Sequence, residues 1–136
     1  MSLMNILKIC ESSLKVESEK IRIHTNNLSN SESIEFKNGK YYPYTAKMAI
    51  LESCKNNENI YEGVKIKKIV NIKDPYKKVY NPSHPLSDSN GYLKLPNVNF
   101  LNETLKCLEA HRRYEANLEI LKATKNIIMK TLSISD

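Results

Sequence analysis

The stretch LMNILKICESSLKVESEKIRIHTNNL, residues 3–28, decides how this chain folds. Its apolar side chains fall at Leu3, Leu7, Cys10, Leu14, Ile21 and Leu28. The steps run four, three, four, seven and seven, a heptad seam in which Glu17 and His24 replace two members. Good helix formers fill most other positions, and Ser2 stands where an N-cap is needed. The pattern predicts one amphipathic helix of about 26 residues, roughly 40 Å long. It should end near Asn27-Leu28-Ser29-Asn30, where side chains that compete for backbone hydrogen bonds accumulate. Polar seam positions cost stability and can fix register, so Glu17 and His24 are read as selecting one helix packing. The plainer alternative is that they face water at a gap.

The other end of the chain has a related pattern. From Asn97 to about Ser133 there is no Gly or Pro, and Asn99 is a plausible N-cap. Apolar positions are Leu101, Leu105 and Leu108, then Leu118, Leu121, Ile128 and Leu132. Between them Ala110–Asn117 is polar, and Glu109 precedes Arg113 by four residues, a supporting helical pair. This predicts a second helix of about 35 residues, roughly 50 Å long.

The middle differs in kind. All three glycines and all five prolines lie within 39–96. Asn38-Gly39 and Asn90-Gly91 are turn signals. Val64, Ile66, Val70 and Ile72 follow a period of two, broken at Lys68. A few short strands fit, with too few large apolar residues for an independent core. The expected fold is therefore α+β: terminal helices 1–30 and 97–136 forming a coiled-coil-like pair, with a small, irregular, β-rich middle at 31–96. Ile6, Ile9, Val16, Ile23, Ile120, Ile127, Met129 and Ile134 lie off the main seams. A second apolar face of this kind argues for contacts with further copies or partners.

Composition excludes several functions. The chain has 136 residues and a formal charge of +6. The middle holds eleven basic against seven acidic residues, a net +4, whereas each flank is net +1. The excess is all Lys and is interleaved with acids, which reads as a solvated face, since no nucleic-acid motif accompanies it. Cys10, Cys54 and Cys107 lack C-x-x-C spacing. His24, His84 and His111 fall in three different segments and suggest no metal site. Nucleotide-binding loops, H-E-x-x-H and a paired acid and base are all missing, so no enzyme, cofactor or metal is expected. No run is apolar enough to span a membrane, and no cleavable N-terminal signal is legible.

Several segments together resemble one family. They are Met1-Ser2-Leu3, Asn27-Leu28-Ser29-Asn30, Tyr41-Tyr42-Pro43-Tyr44 and Asn81-Pro82-Ser83-His84-Pro85-Leu86-Ser87-Asp88. They continue with Gly91-Tyr92-Leu93-Lys94-Leu95-Pro96-Asn97-Val98, Arg113-Tyr114-Glu115-Ala116-Asn117 and Met129-Lys130-Thr131-Leu132. In this order they resemble the FlgC family of flagellar basal-body rod proteins over essentially the whole chain. The Gly91–Val98 segment and the Asn27/Asn30 pair are the specific signals. Ser29 stands where the family usually carries Ala, and His111 where it usually carries a small residue.

The resemblance implies a proximal-rod structural subunit of the bacterial flagellum. It implies export by the flagellar type III apparatus without signal cleavage, and assembly in the periplasm. Its expected partners are further copies, other rod proteins, the basal-body adapter and the rotor ring, with no nucleic acid and no membrane insertion. The rod transmits torque for motility. On this reading Leu7, Leu14, Ile21, Leu28, Leu118, Leu121, Ile128 and Leu132 form the helix-pair core. Asn27, Asn30, Tyr114 and Asn117 fix register. The alternative is a basic adaptor that binds nucleic acid or an acidic partner through 65–78.

Overall fold

A computed structural model describes residues 2–135; Met1 and Asp136, the outermost residues of the two terminal segments, lie outside the described residues. Ser2 caps the first helix by accepting the Asn5 amide at 3.2 Å, and α1 runs Leu3–Ser29. Asn30 closes it, its backbone N–H and its Nδ2 both donating to the Asn26 carbonyl. Asn99 accepts the Asn102 amide at 3.0 Å and opens α2, Phe100–Ser135. Between them lie β1 (Ile34–Lys37), β2 (Lys40–Pro43), β3 (Lys47–Lys55), β4 (Tyr61–Asn71), β5 (Tyr76–Tyr80) and β6 (Tyr92–Pro96). The fold is α+β, two long helices and three separate antiparallel hairpins.

Each hairpin follows from local chemistry. Asn38 and Gly39 both take positive φ, +51° and +77°, and give the two-residue turn that suits the twist of β1–β2. The long β3–β4 hairpin pairs Ile50 with Lys68 and then Leu51 with Ile66, leaving Lys67 as the extra residue of a bulge. The break in alternation expected at Lys68 is that bulge. In β5–β6, Tyr80 faces Tyr92 across an eleven-residue loop. Asp88 organises the loop's end, its carboxylate accepting the amides of Asn90 and Tyr92 at 2.9 Å each.

The helices pair antiparallel. His24 in the penultimate turn of α1 meets Glu103 in the first turn of α2. Twenty-one residues back from His24 is Leu3; twenty-one forward from Glu103 is Thr124. Thr124 is the last buried residue of α2. Residues 125–135 therefore outrun α1, by roughly 16 Å of helix.

α1 presents two faces. Cys10, Leu14, Glu17, Ile21, His24 and Leu28 share the heptad phase turned to α2. Ser12, Val16, Ile23 and Asn27 turn toward β3–β4. Glu17 and His24 thus belong to the packed seam. Glu17 is buried, with Lys20 3.4 Å from its Oε2. Among the described residues the buried apolar side chains are Cys10, Val16, Ile23, Ala46, Leu93, Pro96, Val98 and Ala110, and none is aromatic. So thin a core fits a domain whose large side chains stay partly uncovered.

The seam of α2 is not its leucine track. It runs through Glu103, Cys107, Ala110, Tyr114, Asn117, Leu121, Thr124 and Ile128, an unbroken alternation of fours and threes, all buried or half-buried. Leu101, Leu105 and Leu108 lie on the opposite side, each at least half exposed. Small residues let the helices approach, and Thr124 satisfies its hydroxyl on its own helix at the Ile120 carbonyl.

Candidate functional site

The densest polar arrangement lies where α1 ends, α2 begins and β3 starts. Position 27 falls between the two faces of α1, so its side chain reaches both. Asn27 is fully buried. Its Nδ2 donates to the Lys47 carbonyl at 2.9 Å and to Glu103 Oε2 at 3.2 Å. Its Oδ1 accepts from the Tyr44 hydroxyl at 2.9 Å and from the Lys47 amide at 3.0 Å. Two donors and two acceptors are the whole capacity of an amide side chain, and all are used. A buried amide satisfied in this way holds three segments at one relative position.

Glu103 joins the same point from α2. Its Oε2 also meets His24 Nδ1 at 2.7 Å, and Lys106 Nζ lies 4.0 Å from Oε1. Tyr44 carries the electrostatic consequence. Burial raises the pKa of its phenol above the ordinary 10.0, and the Glu103 charge raises it further.

A second fastening lies a few turns back along α1. Ser12 Oγ donates to the Ile9 carbonyl at 2.8 Å and accepts the Val64 amide at 3.1 Å. Gly63, at φ +146°, lets β4 come this close, because a Cβ there would overlap the Ser12 side chain. Beside this contact an open groove of about 490 Å³ runs between α1 and β3–β4. Its floor includes Val16, Val64 and Ile66, and the Lys8–Glu62 pair sits on its wall.

The sequence-predicted residues fall in distinct places. Asn27 is at the centre of the polar junction. Asn30 works locally, capping α1 and accepting Ser33 Oγ at 3.0 Å as the chain turns toward β1. Tyr114 is half-buried on the α2 seam. Asn117 is on that seam too, with its Nδ2 donating to the Arg113 carbonyl of its own helix at 2.9 Å. Leu7, Leu14, Ile21, Leu28, Leu118, Leu121 and Ile128 are half-buried. Leu132 lies one turn past Ile128, beyond α1, and is 56% exposed. Sequence reasoning overlooked Glu103, Ser12 and Gly63, and met Tyr44 only as part of a motif. Glu103 could have been found as the residue of α2 four before Cys107 and seven before Ala110, the partner His24 requires.

The arrangement fixes shape. Among the described residues no three His, Cys, Asp or Glu side chains converge as metal ligands would. No described helix is long and apolar enough to cross a membrane.

No family model matches the chain. Relatives do, along its full length. It is 47% identical over 136 residues, all of both chains, to the flagellar basal-body rod protein FlgC of Buchnera aphidicola subsp. Schizaphis graminum. It is 35% identical over 134 residues, 98% of each chain, to the protein of the same name in Salmonella typhimurium. With that of Escherichia coli O6:H1 it shares 34% over the same span.

Proposed function

The chain belongs to the FlgC family of flagellar basal-body rod proteins, and on that premise we propose that it is a structural subunit of the flagellar basal-body rod. Its terminal segments 1–30 and 97–136 polymerise with neighbouring subunits, and 31–96 sits outside that helical layer. The rod so formed passes torque from the rotor toward the hook. The subunit reaches the periplasm through the flagellar type III apparatus with no signal removed. Its neighbours are further copies, other rod proteins, the adapter and the rotor ring.

One observation carries this reading. α2 outruns α1, and one turn past Ile128 it carries the 56% exposed Leu132, so one chain leaves its own helix pair unfinished. A helix with apolar surface on an unpaired turn gains stability when another helix covers it. The half-buried seam leucines follow the same logic: a second layer of helices would complete their burial. A thinly cored subunit also suits passage through a narrow export channel, because unfolding it costs little.

The test is a chromosomal Leu132→Asp substitution, scored by swimming and by electron microscopy of basal bodies. Leu121→Asp and Asn117→Leu serve as companions within the seam. The expected result is protein made in normal amount, no completed rod and no motility. Normal swimming in all three strains would overturn the proposal.

A further inference from the structure

The outer face of the β5–β6 hairpin gathers Tyr76, Lys78, Tyr80, Tyr92 and Lys94, because Tyr76↔Pro96, Lys78↔Lys94 and Tyr80↔Tyr92 are the registered pairs of one parity. All five residues are exposed. The rings are held in place nonetheless. Tyr80 and Tyr92 meet edge to face at 5.4 Å, and Tyr80 lies over Gly91, where a Cβ would strike its ring. Lys94 Nζ sits 4.8 Å above the Tyr76 ring.

Lys78 directly opposite Lys94 is the telling feature. Like charges facing across a ladder destabilise it. Among the described residues neither lysine lies within ion-pair distance of a carboxylate. Two of the three β4 lysines differ, since Lys65 and Lys67 both lie against Glu52. Lys78 and Lys94 therefore form an unneutralised, like-charged pair held on a tyrosine-framed face.

We infer that this face docks an acidic surface patch of a different protein, whose carboxylates meet Lys78 and Lys94 while Tyr80 and Tyr92 supply the rigid contact. Ordered tyrosines beside cations are what protein interfaces favour, because their large area is fixed at small entropic cost. A second copy of this chain is a poor occupant. It is itself basic at +6, and eight of its fifteen acidic side chains already lie against its own lysines and arginines. The partner must bring the opposite charge. This docking stands on its own chemistry and does not depend on how the terminal helices assemble.

The test uses the full chain and a fluorescein-labelled oligoglutamate peptide, followed by anisotropy over a salt series. Lys78→Glu should weaken binding about tenfold, since attraction becomes repulsion. The same substitution places a carboxylate opposite Lys94, so the melting temperature should hold or rise and lost binding cannot be lost folding. Lys65→Glu, an equal change of charge on β4, should alter binding by less than about twofold. Equal losses in the two variants, or no binding by the parent chain, would overturn the inference. So would tighter Lys78-dependent binding of duplex DNA with the same charge. In flagellated cells, a photo-crosslinking residue at Tyr80 should join an acidic segment of another protein; joining to a second copy would overturn it.

Discussion

His24 Nδ1 and Glu103 Oε2 stand 2.7 Å apart and tie the end of α1 to the beginning of α2. The same carboxylate oxygen holds the Asn27 amide at 3.2 Å. One acidic group thus anchors two residues of α1 spaced at i and i+3, on the side that turns from the helix seam to the sheet. Removing it leaves a buried amide N–H and a half-buried imidazole without their partner. Glu103→Ala should cost about 2–3 kcal/mol, because an unpaired buried donor costs more than a bond contributes. Glu103→Gln retains an acceptor oxygen and should cost less. Denaturant unfolding of the purified chain distinguishes the two. Equal stability of the alanine variant and the parent would mean the junction holds nothing together.

Tyr44 gives the junction a pH dependence. Its folded pKa is raised above 10.0 by burial and by Glu103. The folded protein therefore keeps the phenol proton at pH values where the unfolded chain loses it. The associated stability is whole below pH 10 and is lost as the pH climbs from there through the raised value. Tyr44→Phe should flatten this alkaline loss. It should also lower stability near neutral pH by about 1 kcal/mol, through the missing bond to Asn27 Oδ1. Melting curves between neutral pH and pH 11 measure both effects.

Gly63 and Ser12 should behave as a coupled pair. Gly63→Ala introduces a Cβ that meets Ser12 Oγ, at a φ that L-residues rarely adopt. The expected cost is about 2–4 kcal/mol, from backbone strain and overpacking together. Ser12→Ala alone should cost about 1 kcal/mol by freeing the Val64 amide. In the double variant the hydroxyl that clashes is gone, so the total should fall short of the sum. Strict additivity would show that the two residues do not share a contact.

What was legible in the sequence follows from where periodicity is strong. The heptad steps of residues 3–28 and the caps at Ser2 and Asn99 locate both helices because these signals are local. The Asn38-Gly39 turn is visible for the same reason. The α2 seam was hidden because size misleads there: Leu101, Leu105 and Leu108 are the largest apolar residues of their stretch, yet Cys107 and Ala110 take the packed face. Composition could not reveal that choice, since it depends on how close α1 must come. Asn27 was noticed as part of a motif. Tyr44 was too, but its bond to Asn27 and the role of Glu103 were not visible, because hydrogen bonds across 17 and 76 residues leave no local trace. Gly63 was likewise invisible, its requirement arising only when β4 meets α1.

The outward leucines of α2 allow folding and assembly to be separated. Leu105 is 50% and Leu108 52% exposed, on the side of α2 away from α1. They lie one turn apart and, with Leu101, form a short apolar stripe at helical spacing. Aspartate at such a site removes little buried area within the chain. The double substitution Leu105→Asp and Leu108→Asp should therefore change the stability of the isolated subunit by no more than about 1 kcal/mol. If neighbouring subunits cover the stripe, the same change forces two carboxylates into an apolar contact and should abolish rod completion. Leu121→Asp makes the contrast, since its half-buried position on the inner seam should lower both subunit stability and assembly. Unfolding curves and swimming assays on the same pair of variants check this. Intact motility in the Leu105/Leu108 strain would remove this stripe from the assembly surface while leaving the inner seam in place.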